Sequence, residues 1–154
     1  MSKRYALQAP GEGPNYDWSA DHTFVKVSAA DTGGAYTLME DNLKANFRLG
    51  LHKHDTHAET FYILDGAVDF YVDGDWIRMG AGATLHVPPG LPHGCQVADE
   101  TPARMLMIFQ PAGFDLYLEA LSGLTDADFA DKARMDALNQ HYDIIELGEL
   151  PPRP

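Results

Sequence analysis

The feature that most constrains the fold is the repeated alternation of short apolar runs and turn residues between Thr23 and Phe109. Runs of this length, bounded by Gly, Pro, Asp or Asn, are typical of strands joined by turns. Asp73-Gly74, for example, predicts a tight hairpin. The predicted strands are residues 24–27, 35–40, 45–49, 59–64, 67–72, 76–79, 83–87, 94–97 and 103–109. This many short strands predict an all-β sandwich or barrel.

The flanking segments differ from this β-rich centre. Residues 1–22 are rich in Gly, Pro and polar residues and predict an extended arm, with Tyr16 and Trp18 anchoring it on the barrel or on a partner subunit. Residues 23–110 form the predicted barrel. Residues 111–154 predict a helical tail packed on it, with one helix over 114–123 and a second that begins at Thr125 and runs to about Gln140. The last residues, 144–154, predict no regular structure.

Composition excludes several classes of function. The 154 residues are enough for one domain, and a net charge of −12 disfavours nucleic acids and anionic membranes as partners. No apolar run approaches the roughly 20 residues of a membrane span. The N-terminus lacks a secretory h-region, so we expect a cytoplasmic protein. Cys95 is the only cysteine, which excludes an intrachain disulfide. It lies two residues after His93 and could be a ligand or a reactive thiol, but we expect a buried, inert one.

Histidines are concentrated beside two of the predicted strands. His52 and His54 are two residues apart, so they face the same side of an extended segment and can bind one ion together. Glu59 begins the next strand, and His93 follows a later one. Three imidazoles and one carboxylate suit a first-row transition metal and leave a position open for another ligand. His57 could replace His54 in this set.

The spacing of these residues resembles two sequence motifs of the cupin family. His52-Lys53-His54, four residues, Glu59, six residues and Gly66 is similar to the first motif. Gly82, five residues, Pro88-Pro89-Gly90, two residues and His93 is similar to the second.

Two positions depart from the family pattern. Asn46 stands where the first motif usually opens with Gly, and Val97 stands where the second usually ends with Asn. Neither position binds metal in the family. Residues 32–35, 111–114 and the helical tail also resemble the quercetin-dioxygenase-like branch of small cupins. The likeness covers roughly residues 23–122.

The resemblance implies a fold, a site and a chemistry. The fold is a double-stranded β-helix (jelly-roll) barrel with short C-terminal helices, in a homodimer. One divalent metal, iron before zinc, manganese or nickel, is held by His52, His54, Glu59 and His93. By the same resemblance, Glu59 is the catalytic base of a dioxygenase that acts on a small enolisable or aromatic substrate. A zinc-type isomerase, cyclase or lyase and a non-catalytic small-molecule binding protein are the alternatives.

Other residues near the predicted site have a role that the sequence leaves open. His86 is either an inward-facing neighbour of the metal or an ordinary core or surface histidine. Tyr36, Tyr62 and Tyr71 could orient a substrate, and Glu40 could serve as an additional acid. Several apolar residues alternate along strands and either line a pocket or pack the core: Phe47, Phe61, Ile63, Phe70, Met105, Met107 and Phe109.

Overall fold

The computed structural model describes residues 3–154 and consists of two antiparallel sheets with three short helices. The strands are β1 (Asn15–Asp17), β2 (Asp21–Val27), β3 (Thr37–Leu43), β4 (Arg48–Lys53), β5 (Ala58–Asp65), β6 (Ala67–Val72), β7 (Asp75–Gly80), β8 (Thr84–Val87), β9 (His93–Val97), β10 (Ala103–Gln110) and β11 (Ile145–Gly148). The helices are α1 (Phe114–Ser122), α2 (Asp126–Ala130) and α3 (Lys132–His141), and a single 3₁₀ turn covers Ala98–Glu100. The mostly-β architecture confirms the predicted jelly-roll barrel.

The two sheets enclose one core. The first sheet has the order β1-β2-β3-β10-β5-β8 and the second the order β11-β4-β9-β6-β7. Side chains alternate along each strand, so β3 turns Met39 and Leu43 inward while β10 does the same with Met105 and Met107. These residues, with Phe61 and others from both sheets, form a continuous apolar cluster.

The hairpins follow the turn chemistry of the sequence. Asp73 and Gly74 both have positive φ, 51° and 87°, which gives the tight turn that joins β6 to β7. At Gly66, between β5 and β6, a Cβ atom would lie 2.8 Å from the carbonyl oxygen of Pro102. This turn therefore needs glycine for space as well as for its positive φ.

The ends of the chain contain more strand than the sequence pattern predicts. Within the predicted arm, β1 pairs with β2, and the rings of Tyr16 and Trp18 stack with centroids 6.0 Å apart. In the tail, β11 pairs with β4, although no regular structure was expected there. β1 has three residues and β11 four, and runs this short are at or below the length from which a strand can be predicted. The part of the arm formed by Met1 and Ser2 lies outside the described residues.

The predicted second helix is two helices. Thr125 and Asp128 form the expected capping box at the start of α2. Asp131 then leaves the helical region, with φ −82° and ψ 97°, and its carboxylate accepts a hydrogen bond from the Arg134 N–H to begin α3. Aspartate favours such a break because its short side chain caps a new helix. Among the residues described, no helix is both long and apolar enough to cross a membrane.

Candidate metal centre

Three strands bring the four predicted ligands to one point inside the barrel. His52 lies on β4 directly opposite His93 on β9, and Glu59 lies on the inward face of β5. Between Leu49 and His52, β4 has one more residue than β9, and this bulge turns His52 toward the interior. His54 follows the end of β4. All four side chains are buried, and one ligand atom from each lies within 4.8 Å of the other three.

The corner between β8 and β9 ties the two motifs together. Gly90 has φ 84°, and its N–H donates a 2.6 Å hydrogen bond to the carbonyl oxygen of His54. The turn 88–90 of the second motif is therefore bonded directly to a histidine of the first. The contact fixes the Pro-Pro-Gly corner that precedes His93 against the first motif.

Each histidine is oriented by a main-chain carbonyl. The Nδ1 atoms of His52, His54 and His93 lie 2.9, 2.8 and 3.0 Å from the carbonyl oxygens of Gly50, Asp143 and Leu91 respectively. A carbonyl oxygen only accepts hydrogen bonds, so Nδ1 carries the proton in all three rings. The Nε2 atoms are then the ones available to a metal, the arrangement typical of histidine ligands in proteins.

The carboxylate of Glu59 is the centre of the charge in this cluster. Its Oε2 atom lies 2.9 Å from Nε2 of His93 and 3.3 Å from Nε2 of His54. Burial alone would raise the pKa of Glu59, but the hydrogen bonds with His54 and His93 outweigh it and lower the pKa to about 2. Burial, aided by the nearby His93, lowers the pKa of His52 to about 4. A buried anion surrounded by Nε2 atoms fits a divalent cation, which would supply the positive charge that the imidazoles otherwise provide.

Comparison with known proteins agrees with this geometry. Residues 42–109, which span all four candidate ligands, match the family described as "Cupin domain". Residues 42–109 are a cupin domain.

The chain is also similar to curated proteins and to solved structures. Quercetin 2,3-dioxygenase of Bacillus subtilis (strain 168) is 24% identical over 152 residues, which are 96% of this chain and 44% of that protein. The chain spans about half the length of the curated relatives it matches. Among solved structures, KdgF from Halomonas sp. has a TM-score of 0.63 and 18% identity, covering 72% of this chain and 99% of the other. Pac13 of Streptomyces, described as a nucleoside dehydratase, has a TM-score of 0.59 and 13% identity, with 98% and 95% covered. At these identities the structures show a shared fold.

Beside the four ligands, the cupin barrel holds a cavity of about 390 Å³. Its walls are largely apolar and come from both sheets and from α1. They include Phe47, Met105, Met107, Phe109, Phe114 and Leu118. The rings of Phe109 and Phe114 stack with centroids 4.1 Å apart and an interplanar angle of 8°. A cavity of this size and composition suits a small, largely apolar molecule.

The apolar residues that the sequence left open divide into two groups. Phe47, Met105, Met107 and Phe109 line the cavity, whereas Phe61, Ile63 and Phe70 are packed in the core without lining it. Because both groups alternate inward along their strands, the sequence pattern alone does not separate them.

The other polar candidates lie away from the cavity. The Nδ1–H of His57 donates a 2.7 Å hydrogen bond to the Asp143 carboxylate, and His57 is not in the four-residue cluster. His86 is exposed and contacts the Thr60 hydroxyl at 2.8 Å. Glu40 pairs with Arg104 at 3.3 Å. Tyr36, Tyr62 and Tyr71 do not line the cavity, and Cys95 is buried, as expected.

The sequence reasoning did not single out Asp41 and Tyr117, which line the cavity, or Asp143, which contacts His54. Asp41 is buried on β3 and faces inward like Met39 and Leu43. A charged residue at an inward-facing position of a predicted strand is a sequence signal that could have identified it. The Tyr117 hydroxyl donates to Oδ1 of Asn139 at 2.7 Å, and burial, with the nearby Glu146, raises its pKa to about 12. Asp143 is the third, and nothing in its sequence neighbourhood indicates a role.

Proposed function

We propose that this cupin is a metal-dependent oxygenase acting on a small enolisable or aromatic compound. One observation carries the proposal: three Nε2 atoms and the Glu59 carboxylate converge beside an apolar cavity. The similarity to quercetin 2,3-dioxygenase along almost the whole chain supports the choice of an oxygenase. Iron is the proposed metal, although manganese, nickel and zinc also accept this ligand set.

The walls of the cavity favour a planar substrate. Phe109 and Phe114 lie parallel and present an aromatic surface near His54, whose ring centroid is 5.9 Å from that of Phe109. Met105 and Met107 contribute flexible apolar side chains that adapt to an irregular ligand. A flat, unsaturated molecule would replace water in this space and place a polar oxygen toward the four ligands.

Glu59 is the proposed general base. A bound divalent metal would act as a Lewis acid, polarising a substrate oxygen and stabilising its negative charge. The Glu59 carboxylate is buried and lines the cavity, so it is placed to take the proton from a substrate hydroxyl that a bound metal would make more acidic. The barrel excludes bulk water, which strengthens these interactions and protects a reactive enolate.

The second candidate is an enzyme that uses its metal only as a Lewis acid. Three imidazoles and a carboxylate hold zinc as readily as iron, and zinc has no redox chemistry. The fold shared with Pac13 is consistent with a dehydratase or a related isomerase, cyclase or lyase.

A non-catalytic protein that binds a small molecule in the barrel is the third candidate. The homodimer and the cytoplasmic location stay predictions.

Metal analysis with an oxygen electrode distinguishes these functions. Purified protein would be analysed for bound metals and then supplied with a panel of flavonols and β-diketones. Iron together with oxygen uptake is the expected result. Zinc without oxygen uptake would favour the Lewis-acid enzyme. Bound metal, no turnover and a co-purifying small molecule would favour the binding protein.

The metal centre itself is tested by His93→Ala and His52→Ala. Each variant should lose most of its bound metal, because four ligands share one ion and the loss of one weakens the others. His86→Ala is the matched control, since His86 is exposed and outside the cluster. Circular dichroism checks that the barrel is folded. Full metal occupancy in a folded His93→Ala variant would contradict the assignment.

A further inference from the structure

The C-terminal end of α3 meets the loop that joins two of the candidate ligands. The Ile144 N–H donates to the Asn139 carbonyl at 2.8 Å, and the Asp143 N–H donates to the Gln140 carbonyl at 3.2 Å. These two bonds form a Schellman motif, and Asp143 occupies its left-handed position with φ 60°. Glycine is usual there because a Cβ atom is unfavourable in this conformation. An aspartate at this position therefore needs a compensating interaction.

The Asp143 carboxylate provides that interaction by binding residues 55–57. Its Oδ1 atom accepts a 2.8 Å hydrogen bond from the Asp55 N–H. Its Oδ2 atom accepts bonds from the N–H and hydroxyl of Thr56, both at 2.8 Å, and from the N–H of His57 at 3.0 Å. The His57 Nδ1 atom lies 2.7 Å from the same oxygen. One carboxylate thus holds nearly the whole link between His54 and Glu59.

The main chain of Asp143 contacts a candidate ligand directly. Its carbonyl oxygen is the acceptor for Nδ1 of His54, at 2.8 Å. The carbonyls that orient His52 and His93 belong to residues two positions away, whereas Asp143 is separated from His54 by 89 positions. His54 is therefore the histidine whose orientation depends on the tail.

We propose that Asp143 is a positioning residue of the metal centre: its carboxylate fixes the 55–57 loop, which places Glu59 and holds the Asp143 carbonyl against Nδ1 of His54. This inference rests on the metal centre of the proposed function. It makes the C-terminal end of α3 part of the site, although neither cupin motif includes it. Hydrogen-bonded partners of metal ligands act by fixing ring orientation, and their loss typically weakens metal affinity by roughly 10–100-fold.

Cobalt(II) binding to the full chain tests the proposal. Glycine accepts the left-handed conformation, so in Asp143→Gly the helix can end normally although the carboxylate is lost. We expect its dissociation constant for cobalt, measured by chelator competition, to rise roughly 10–100-fold. The visible absorption of the cobalt-saturated variant should also change, because the ligands no longer hold one geometry. Asp143→Asn retains a carbonyl oxygen and should recover part of the affinity.

The control and the outcomes separate this inference from the metal site. Asp31→Gly also removes an aspartate that holds a loop, through bonds from the N–H and hydroxyl of Ser28, and should bind cobalt like the wild type. Wild-type affinity and an unchanged spectrum in Asp143→Gly would overturn the positioning role alone. If Asp31→Gly also bound cobalt weakly, the loss of affinity in Asp143→Gly would reflect general loop stability. That result would overturn the positioning role as well. A wild-type protein that binds no cobalt would overturn the metal centre itself.

Discussion

The geometry of this centre depends on the histidine side chains and on the backbone carbonyls that orient them. The His-x-His spacing, Glu59 and His93 predict the four groups that the fold brings within 4.8 Å of one another. The carbonyls of Gly50, Leu91 and Asp143, which orient the three rings, could not be predicted. Every residue has a carbonyl, so its direction depends on the folded backbone and leaves no mark in the sequence.

At the scale of single residues, the variant Glu59→Gln tests whether Glu59 acts as a base or only as a metal ligand. The amide keeps the shape and one oxygen, so the variant should retain part of its metal. It cannot accept the substrate proton, and we expect turnover to fall by roughly 10²–10⁴-fold, more than occupancy falls. Rates would be measured per bound metal ion with any substrate found in the panel. Glu40→Gln, which alters a carboxylate paired with Arg104 outside the cavity, is the control. Equal turnover per metal in Glu59→Gln would remove the role as base.

At the level of strands and helices, the sequence predicts best where an element is apolar on one face. β5, β6 and β10 carry inward aromatic and aliphatic residues, and the predicted runs overlap them closely. β1 and β11 have only three and four residues, and they form by pairing with the edges of β2 and β4. The bulge in β4 that directs His52 inward is likewise a property of the pairing with β9, which no local pattern reveals.

Gly94→Ala tests how closely β9 is packed beside the centre. Gly94 follows His93, and a Cβ atom here would lie 2.6 Å from Cδ2 of Leu150 and 2.8 Å from the carbonyl oxygens of Leu49 and Gly50. The backbone atoms cannot move without disturbing the β4–β9 pairing. We expect a loss of roughly 1–3 kcal/mol in the free energy of unfolding, measured with urea. Gly80→Ala on β7, where a Cβ atom meets nothing within 4 Å, should change little. Equal stability of the two variants would contradict this packing.

For the molecule as a whole, the protonation of one buried acid links stability to pH. Asp41 is 2% exposed and accepts a hydrogen bond from the Thr23 hydroxyl at 3.1 Å. Burial, together with the negative charge of Asp21, raises its pKa from 3.8 to about 8. Between these values the folded protein holds a proton that the unfolded chain has released. Raising the pH across this window therefore favours unfolding.

The difference between wild type and Asp41→Asn measures this contribution. The free energy of unfolding of the wild type should fall relative to that of the variant between about pH 4 and about pH 8, because the amide does not titrate. Urea denaturation with a chelator present, at pH values near the ends of the window, gives both values. The histidines titrate in both proteins, so their effect cancels in the difference. Parallel pH profiles would show that Asp41 is ionised in the folded state.

The place of β10 in the first sheet affects how the chain is made. β10 lies between β3 and β5 and pairs with both along nearly its full length, yet it is the last strand of that sheet to leave the ribosome. A nascent chain that ends before Ala103 therefore carries two unpaired strand edges, which are templates for intermolecular association. We expect the need for chaperones to be greatest at this stage of synthesis, before Ala103 is added. Glu59 on β5 acquires its final surroundings only when Phe109 pairs opposite it.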